Sequence, residues 1–201
     1  MSDAGRVIAG SAAGRRLLAP GAGTRPFADR VKQTLFAILE PDLPGSVALD
    51  MFAGSGAAGI EALSRGAARA VFVERDPGAI RVIRENLARA GFAKGADVVQ
   101  ADAIAWLRTQ AAGRGPYDIV IVDPPYDQHG LLLAALAILG DGTATLLSAG
   151  ARVVAKHFWR DAPPAQVGLL ASERGRRFGE TALTFYRVAP ADAAGTPKGE
   201  P

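Results

Sequence analysis

Between Val47 and Ala155, five short β-branched or apolar runs alternate with four helical stretches. That rhythm restricts the chain to βαβ units, a parallel sheet covered by helices on both faces. The runs are Val47-Ala48-Leu49, Ala70-Val71-Phe72-Val73, Asp97-Val98-Val99, Ile119-Val120-Ile121-Val122 and Arg152-Val153-Val154-Ala155. The helices predicted between them cover 57–65, 77–90, 103–111 and 131–139. Gly66 closes the first, while Pro77 and Gly91 bracket the second with the residues helices favour at their start and just past their end.

The flanks break the rhythm. Residues 6–9 and 15–18 read as two short strands joined by the turn Gly10-Ser11-Ala12-Ala13-Gly14. Residues 29–39 read as an amphipathic helix, with Val31, Leu35, Ile38 and Leu39 on one face and Arg30, Lys32 and Gln33 polar; Pro41 and Pro44 end it. Near the other end, residues 166–170 and 181–186 read as strands, and the stretch 174–179 between them is too short for a crossover helix. An antiparallel hairpin is therefore expected. From Ala189 the chain is Ala, Pro, Gly and charge, the composition of a disordered tail. The expected organisation is one domain over residues 1–188, with a basic hairpin and helix in 1–45 and a disordered tail in 189–201.

Composition narrows the function classes. The longest apolar run, Leu131 to Leu139, is nine residues, half of the roughly eighteen a membrane helix needs. Residues 1–5 carry no apolar targeting segment, so a cytoplasmic location is expected. The absence of cysteine removes disulfides and thiolate metal sites, and with His129 and His157 as the only histidines no metal is expected. Charge is distributed unevenly. Residues 1–36 hold six Arg/Lys against two Asp/Glu, residues 37–150 nine against thirteen, and residues 151–188 seven against three. An acidic middle between basic flanks is the pattern of a catalytic core with polyanion-binding edges.

Four motifs fall at the ends of the predicted strands, where open α/β sheets bind ligands. The first is Asp50-Met51-Phe52-Ala53-Gly54-Ser55-Gly56. Its glycines let the backbone approach a ligand, and the following helix offers its N-terminus. Gly54, Gly56 and Gly59 spell the dinucleotide fingerprint, so a nicotinamide-binding reading stands beside a methyltransferase one and a plain structural turn. The spacing favours the methyltransferase: an Asp ends the strand and three residues intervene before the first glycine. Glu74, at the end of the second strand, is placed to accept from both ribose hydroxyls or simply to sit solvated beside Arg75. Asp102 is placed either to accept from an adenine amino group or to N-cap the next helix.

The fourth motif is Asp123-Pro124-Pro125-Tyr126, directly after an apolar strand. Two prolines cannot extend a ladder, so the backbone turns outward there. The tetrapeptide resembles the Asp/Asn-Pro-Pro-Tyr/Phe signature of amino-group methyltransferases. A conjugated amino group is a poor nucleophile because its lone pair is delocalised into the ring. Acceptors at the Asp123 carboxylate and the Pro124 carbonyl hold both amino hydrogens and turn the nitrogen toward tetrahedral geometry, while Tyr126 stacks on the base, a contact worth about 1–3 kcal/mol.

Taken together, these motifs resemble the RsmD family, bacterial enzymes that methylate guanine N2 in 16S ribosomal RNA. The resemblance runs from about Arg6 to Arg187. It includes the block Arg25-Pro26-Phe27-Ala28-Asp29-Arg30-Val31-Lys32-Gln33-Thr34-Leu35-Phe36, the loop and helix from Leu49 to Ala67, the strand and motif from Asp118 to Tyr126, and Phe178-Gly179-Glu180-Thr181-Ala182-Leu183. It implies a class I S-adenosylmethionine-dependent methyltransferase fold, a Rossmann-like doubly wound sheet of order 3-2-1-4-5-7-6 with the last hairpin antiparallel, plus a small N-terminal β-hairpin. The cofactor is then S-adenosylmethionine, held by Asp50, Phe52, Ala53, Gly54, Ser55, Gly56, Glu74 and Asp102. Asp123, Pro124, Pro125 and Tyr126 are catalytic, and the substrate is 16S rRNA or the small ribosomal subunit. Arg15, Arg16, Arg25 and Arg30 are expected on phosphates. Phe27, Gln33 and Lys156 depart from the family pattern, which has Thr at the first, Glu at the second and a Glu expected at the third. The alternatives are an adenine-N6 DNA or protein-glutamine methyltransferase, a nicotinamide oxidoreductase, and a non-catalytic RNA-binding module.

Overall fold

A computed structural model describes residues 3–21, 28–109, 111–142 and 146–188. The expected tail 189–201 lies outside the described residues, as do Arg25 and Phe27. The chain opens with a two-stranded antiparallel sheet of β1 (Asp3–Arg6) and β2 (Arg16–Leu18), followed by helix α1 (Asp29–Leu39). The alternating part then runs β3 (Val47–Met51), α2 (Ala57–Ser64), β4 (Arg69–Glu74), α3 (Pro77–Ala90), β5 (Ala96–Gln100), α4 (Ala103–Thr109), β6 (Tyr117–Val122), α5 (His129–Gly140) and β7 (Leu147–Phe158). It closes with β8 (Gln166–Val167), β9 (Leu170–Phe178) and β10 (Thr181–Val188). No described helix is long and apolar enough to cross a membrane.

The large sheet has the order β5-β4-β3-β6-β7-β10-β9-β8. Strands β3 to β7 are parallel, and β10, β9 and β8 are antiparallel. With the core strands counted from β3, this is the predicted order 3-2-1-4-5-7-6, with β8 added at the edge. Alternate side chains of the sheet feed two cores. Phe72, Ile119, Ile121, Leu183 and Phe185 pack under α1, α2, α3 and the N-terminal hairpin. Val71, Val73, Val120, Val122 and Tyr186 pack under α4 and α5. Both faces are buried, which is why the central strands are apolar throughout rather than alternating.

Three expectations need correction. The first hairpin strand lies at 3–6 instead of 6–9, because the amides of Ile8 and Ala9 donate to the Glu61 carboxylate at 2.8 and 3.0 Å instead of to a neighbouring strand. The strand paired with β10 is Leu170–Phe178, not 166–170; the predicted run supplies only the short β8, which folds back on β9. Lys32, expected in solvent, is fully buried, donates to the carbonyl of Arg6 and lies 3.9 Å from Glu61. Glu61 is itself fully buried and also accepts from Arg65 Nε at 2.8 Å. Two buried charges are tolerable only when paired and hydrogen-bonded, and this cluster fastens the N-terminal segment to α1 and α2.

Candidate active site

The strand order reverses between β3 and β6, and ligands of such sheets bind at that crevice, beyond the carboxyl ends of the strands. Met51 pairs with Val122, so the loop after β3 and the motif after β6 emerge side by side; the Asp123 amide lies 3.5 Å from the Met51 carbonyl. A cavity of about 890 Å³ opens there, within the usual size of a small-molecule site. Asp50, Phe52, Ala53, Gly54, Ser55, Glu74, Asp102, Asp123, Pro124, Pro125 and Tyr126 all line it. Of the expected cofactor and catalytic residues only Gly56 does not; it is the N-cap of α2.

The β3–α2 loop is tight. Gly56 adopts φ 76°, in the left-handed region where a side chain is disfavoured, and its amide donates to the Ala53 carbonyl at 2.7 Å. A Cβ at Gly59 would lie 2.3 Å from the Phe72 ring, so α2 sits on β4 as closely as only glycine permits. Phe52 holds φ 60°, the one non-glycine residue at positive φ among those described. Such strain persists where surrounding structure enforces it, characteristically at ligand sites.

The carboxylates have defined local duties. Asp50 is almost fully buried and accepts from the Gly59 amide at 2.8 Å, tying the strand end to the first turn of α2. Burial pushes its carboxyl up to about 8, opposed by the Gly59 bond and reinforced by the charges of Asp123 and Glu74. Glu74 accepts from the Gly54 amide at 2.9 Å with one oxygen and from the Arg75 and Asp76 amides at 2.8 and 2.9 Å with the other. It therefore shapes the glycine loop as well as facing the cavity. Asp102 is the N-cap of α4, accepting from Ile104 and Ala105 at 3.1 and 2.9 Å, and it lines the cavity too. Both readings of Asp102 are compatible with that position.

At the other wall, Lys156 of β7 donates to both oxygens of Asp123 at 2.7 and 2.8 Å and lies 5.2 Å from the centre of the Tyr126 ring. Burial by itself lowers the Lys156 ammonium, but Asp123 and Tyr126 outweigh it and the net shift is upward, so Lys156 stays an ammonium through the neutral range. The Tyr126 hydroxyl meets Thr181 Oγ1 of β10 at 2.7 Å, which fixes the ring over the opening. His157 points away: its ring nitrogens lie 2.8 Å from the Phe158 carbonyl and 2.9 Å from Thr184 Oγ1.

Several residues that organise the site carried no motif. Asn86, fully buried in α3, donates to the Ser55 and Leu18 carbonyls at 2.9 Å and accepts from the Leu18 amide at 2.8 Å. It joins the N-terminal hairpin to the glycine loop. Its spacing on the buried face of α3, with Ile83 and Leu87, was the only available signal. Arg15, Arg16 and Arg30 are exposed on the hairpin and α1, outside the cavity, whose rim includes Pro20, Ala28 and Val31 from the same region. Arg25 lies outside the described residues.

Seven acidic side chains line the cavity against two basic ones, Arg75 and Lys156. A cationic ligand compensates that excess, and it also favours the charged form of Asp50, whose carboxyl is raised chiefly by burial and further by Asp123 and Glu74. S-adenosylmethionine, with a sulfonium and an ammonium, fits this donor set; the diphosphate of a dinucleotide does not.

The protein YlbH of Bacillus subtilis (strain 168) is 39% identical over 183 residues, covering 90% of this chain and 98% of that one. Ribosomal RNA small subunit methyltransferase D of Escherichia coli (strain K12) is 42% identical over 139 residues, 68% of this chain and 67% of its own length. Among solved structures, yhhF from Escherichia coli superposes with a TM-score of 0.80 at 35% identity, covering 91% of this chain and 97% of that one. The model of the family described as conserved hypothetical protein 95 matches residues 5–187. With that match spanning the hairpin, the glycine loop, the Asp-Pro-Pro-Tyr strand end and the final hairpin, the chain belongs to this family, the RsmD family of methyltransferases.

Proposed function

We propose that this chain methylates the exocyclic N2 of a guanine in 16S rRNA with S-adenosylmethionine as methyl donor, acting in the cytoplasm on the small-subunit RNA. One observation carries the reading: Asp123-Pro124-Pro125-Tyr126 shares a cavity with the acidic, glycine-rich loop after β3. Residues 1–188 act as one domain, with 1–45 its RNA-facing part.

Asp50, Glu74 and Asp102 hold the cofactor, and the Gly54-Ser55-Gly56 backbone admits it closely. When bound, S-adenosylmethionine supplies an electrophilic methyl group. The Tyr126 ring stacks the target base, held in place by Thr181. The Asp123 carboxylate accepts one amino hydrogen and the Pro124 carbonyl the other, which withdraws the nitrogen lone pair from conjugation. Lys156 donates to that carboxylate and fixes it, so it meets the amino group in one orientation as an acceptor. The proton released from nitrogen is taken up at Asp123 Oδ and passes to solvent. These interactions strengthen as the nitrogen pyramidalises, which is the condition for accelerating the chemical step.

The test is transfer of labelled methyl to small-subunit rRNA from a strain lacking this gene, followed by nucleoside analysis. N2-methylguanosine is the expected product. N6-methyladenosine, or label in protein alone, would overturn the base assignment.

A further inference from the structure

Residues 151–188 carry seven Arg/Lys, and the site above uses only Lys156. Four of the others gather on β9 and the turn after β7, and the strand register sorts them. Arg174 and Arg176 stand opposite Phe185 and Leu183, and directly opposed residues of an antiparallel pair share a face. Phe185 and Leu183 belong to the core beneath α1, so both exposed arginines lie on the sheet face that also carries α1 with Arg30. At the end of β9, the Arg177 guanidinium lies 3.6 Å from the centre of the Trp159 ring, steered by a bond from its Nε to the Gly179 carbonyl at 2.9 Å. The Arg160 guanidinium lies 4.8 Å from the same ring. Trp159 is tilted against Phe158 with ring centres 6.2 Å apart, and Phe158 lines the cavity beside Thr181. The acidic side chains of this segment are Asp161, Glu173 and Glu180, of which Glu173 is paired with Arg152 and Arg187.

We propose that Trp159, Arg160 and Arg177 form a second nucleic-acid grip, flanked on the other face of β9 by Arg174 and Arg176 as phosphate contacts, and that it holds single-stranded RNA beside the nucleotide entering the cavity. The inference rests on the rRNA reading above and deepens it. A guanidinium lying on an indole presents a flat cationic surface that stacks a base and pairs a phosphate. A base must leave its helix to reach Tyr126, so its neighbours are unstacked and have exposed faces to offer such a surface. The cavity is lined by Pro20, Ala28 and Val31 from the N-terminal segment and by Phe158, Glu180 and Thr181 from the strands of the C-terminal part. The strand is thus held from both sides, by Arg15, Arg16 and Arg30 on one and by the Trp159 cluster on the other.

The test titrates the full chain with protein-free small-subunit rRNA transcript at several salt concentrations, comparing wild type with Trp159→Ala, Trp159→Phe, Arg177→Glu and Arg174→Glu/Arg176→Glu. Trp159→Ala is expected to lose roughly tenfold in affinity, as deletion of a base-stacking platform does, and Trp159→Phe to recover much of it. Each lost phosphate contact lowers the slope of log affinity against log salt by about 0.7. S-adenosylmethionine affinity and turnover at saturating RNA stay at wild-type level, so KM rises while kcat holds. A defect of folding would instead lower cofactor affinity in parallel. Variants that bind rRNA with wild-type affinity and salt slope would overturn this surface and leave the rRNA reading standing. A wild-type chain that binds no rRNA would overturn both.

Discussion

Asp123 faces the cavity as an ion-paired carboxylate, because Lys156 donates to both of its oxygens. The neighbouring Asp50 is in the opposite condition: buried, without a cation, and raised to about 8. Its folded value exceeds its ordinary 3.8, so its contribution to stability is greatest below pH 3.8, declines as pH rises through 8, and is level above. A bound cation reverses the preference and draws the proton off. S-adenosylmethionine binding near pH 7 is therefore expected to release a proton, with affinity rising as pH approaches 8. Calorimetry in two buffers of different ionisation enthalpy measures this; Asp50→Asn, which preserves an acceptor for Gly59, abolishes the release. Identical enthalpies for the wild type in both buffers would contradict the assignment. Tyr126→Phe is expected to lose only a few-fold in turnover, because it gives up the hydroxyl's hydrogen bonds to Thr181 and Lys156, each worth about 1 kcal/mol, and retains the ring. Tyr126→Ala loses the stacking surface and weakens RNA binding as well.

At the scale of elements, the hairpin of β1 and β2 has little core of its own and is held by side chains from elsewhere. Glu61 takes the Ile8 and Ala9 amides, Ser64 the Ala12 amide at 3.0 Å, and Asn86 both backbone groups of Leu18. Asn86→Ala leaves buried backbone groups unpaired on both the hairpin and the glycine loop. A loss of about 2–3 kcal/mol is expected, read as an earlier urea midpoint, with weaker cofactor binding accompanying it. A variant as stable as wild type would show that the bridge carries no net energy. These latches explain what the sequence made legible. The five parallel strands were visible because burial on both faces demands β-branched runs, and Asp123 to Tyr126 because two prolines after such a run leave only an outward turn. Strand β9 was hidden because Ser172 to Arg177 lie near the sheet edge, largely exposed, and carry no apolar alternation. Lys32 was misplaced because its polarity matched the exposed face of α1, and only a partner on another element, Glu61 of α2, makes its burial tolerable. Asn86 escaped for the same reason, as did the pairing of Lys156 with Asp123.

Across the whole molecule, the acidic cavity sits between two basic flanks, so cofactor and RNA binding answer to different charges. Arg15→Ala, Arg16→Ala and Arg30→Ala are expected to weaken rRNA binding and flatten its salt dependence while leaving S-adenosylmethionine affinity unchanged; titrations of both ligands across salt concentrations separate the two. Equal losses in both affinities would mean that these arginines support the fold rather than contact RNA. The most direct test of the catalytic assignment is single-turnover methyl transfer by Asp123→Ala, measured beside its S-adenosylmethionine affinity and its rRNA affinity. Removing Asp123 takes away the carboxylate that neutralises the largely buried Lys156 ammonium, so Asp123→Ala/Lys156→Met is carried in parallel to keep folding intact. Both variants are expected to bind both ligands and to lose most of the transfer rate, because the acceptor acts chiefly in the transition state. Near-normal transfer by a folded Asp123→Ala chain would contradict the role of Asp123 as the group that orients the amino nitrogen.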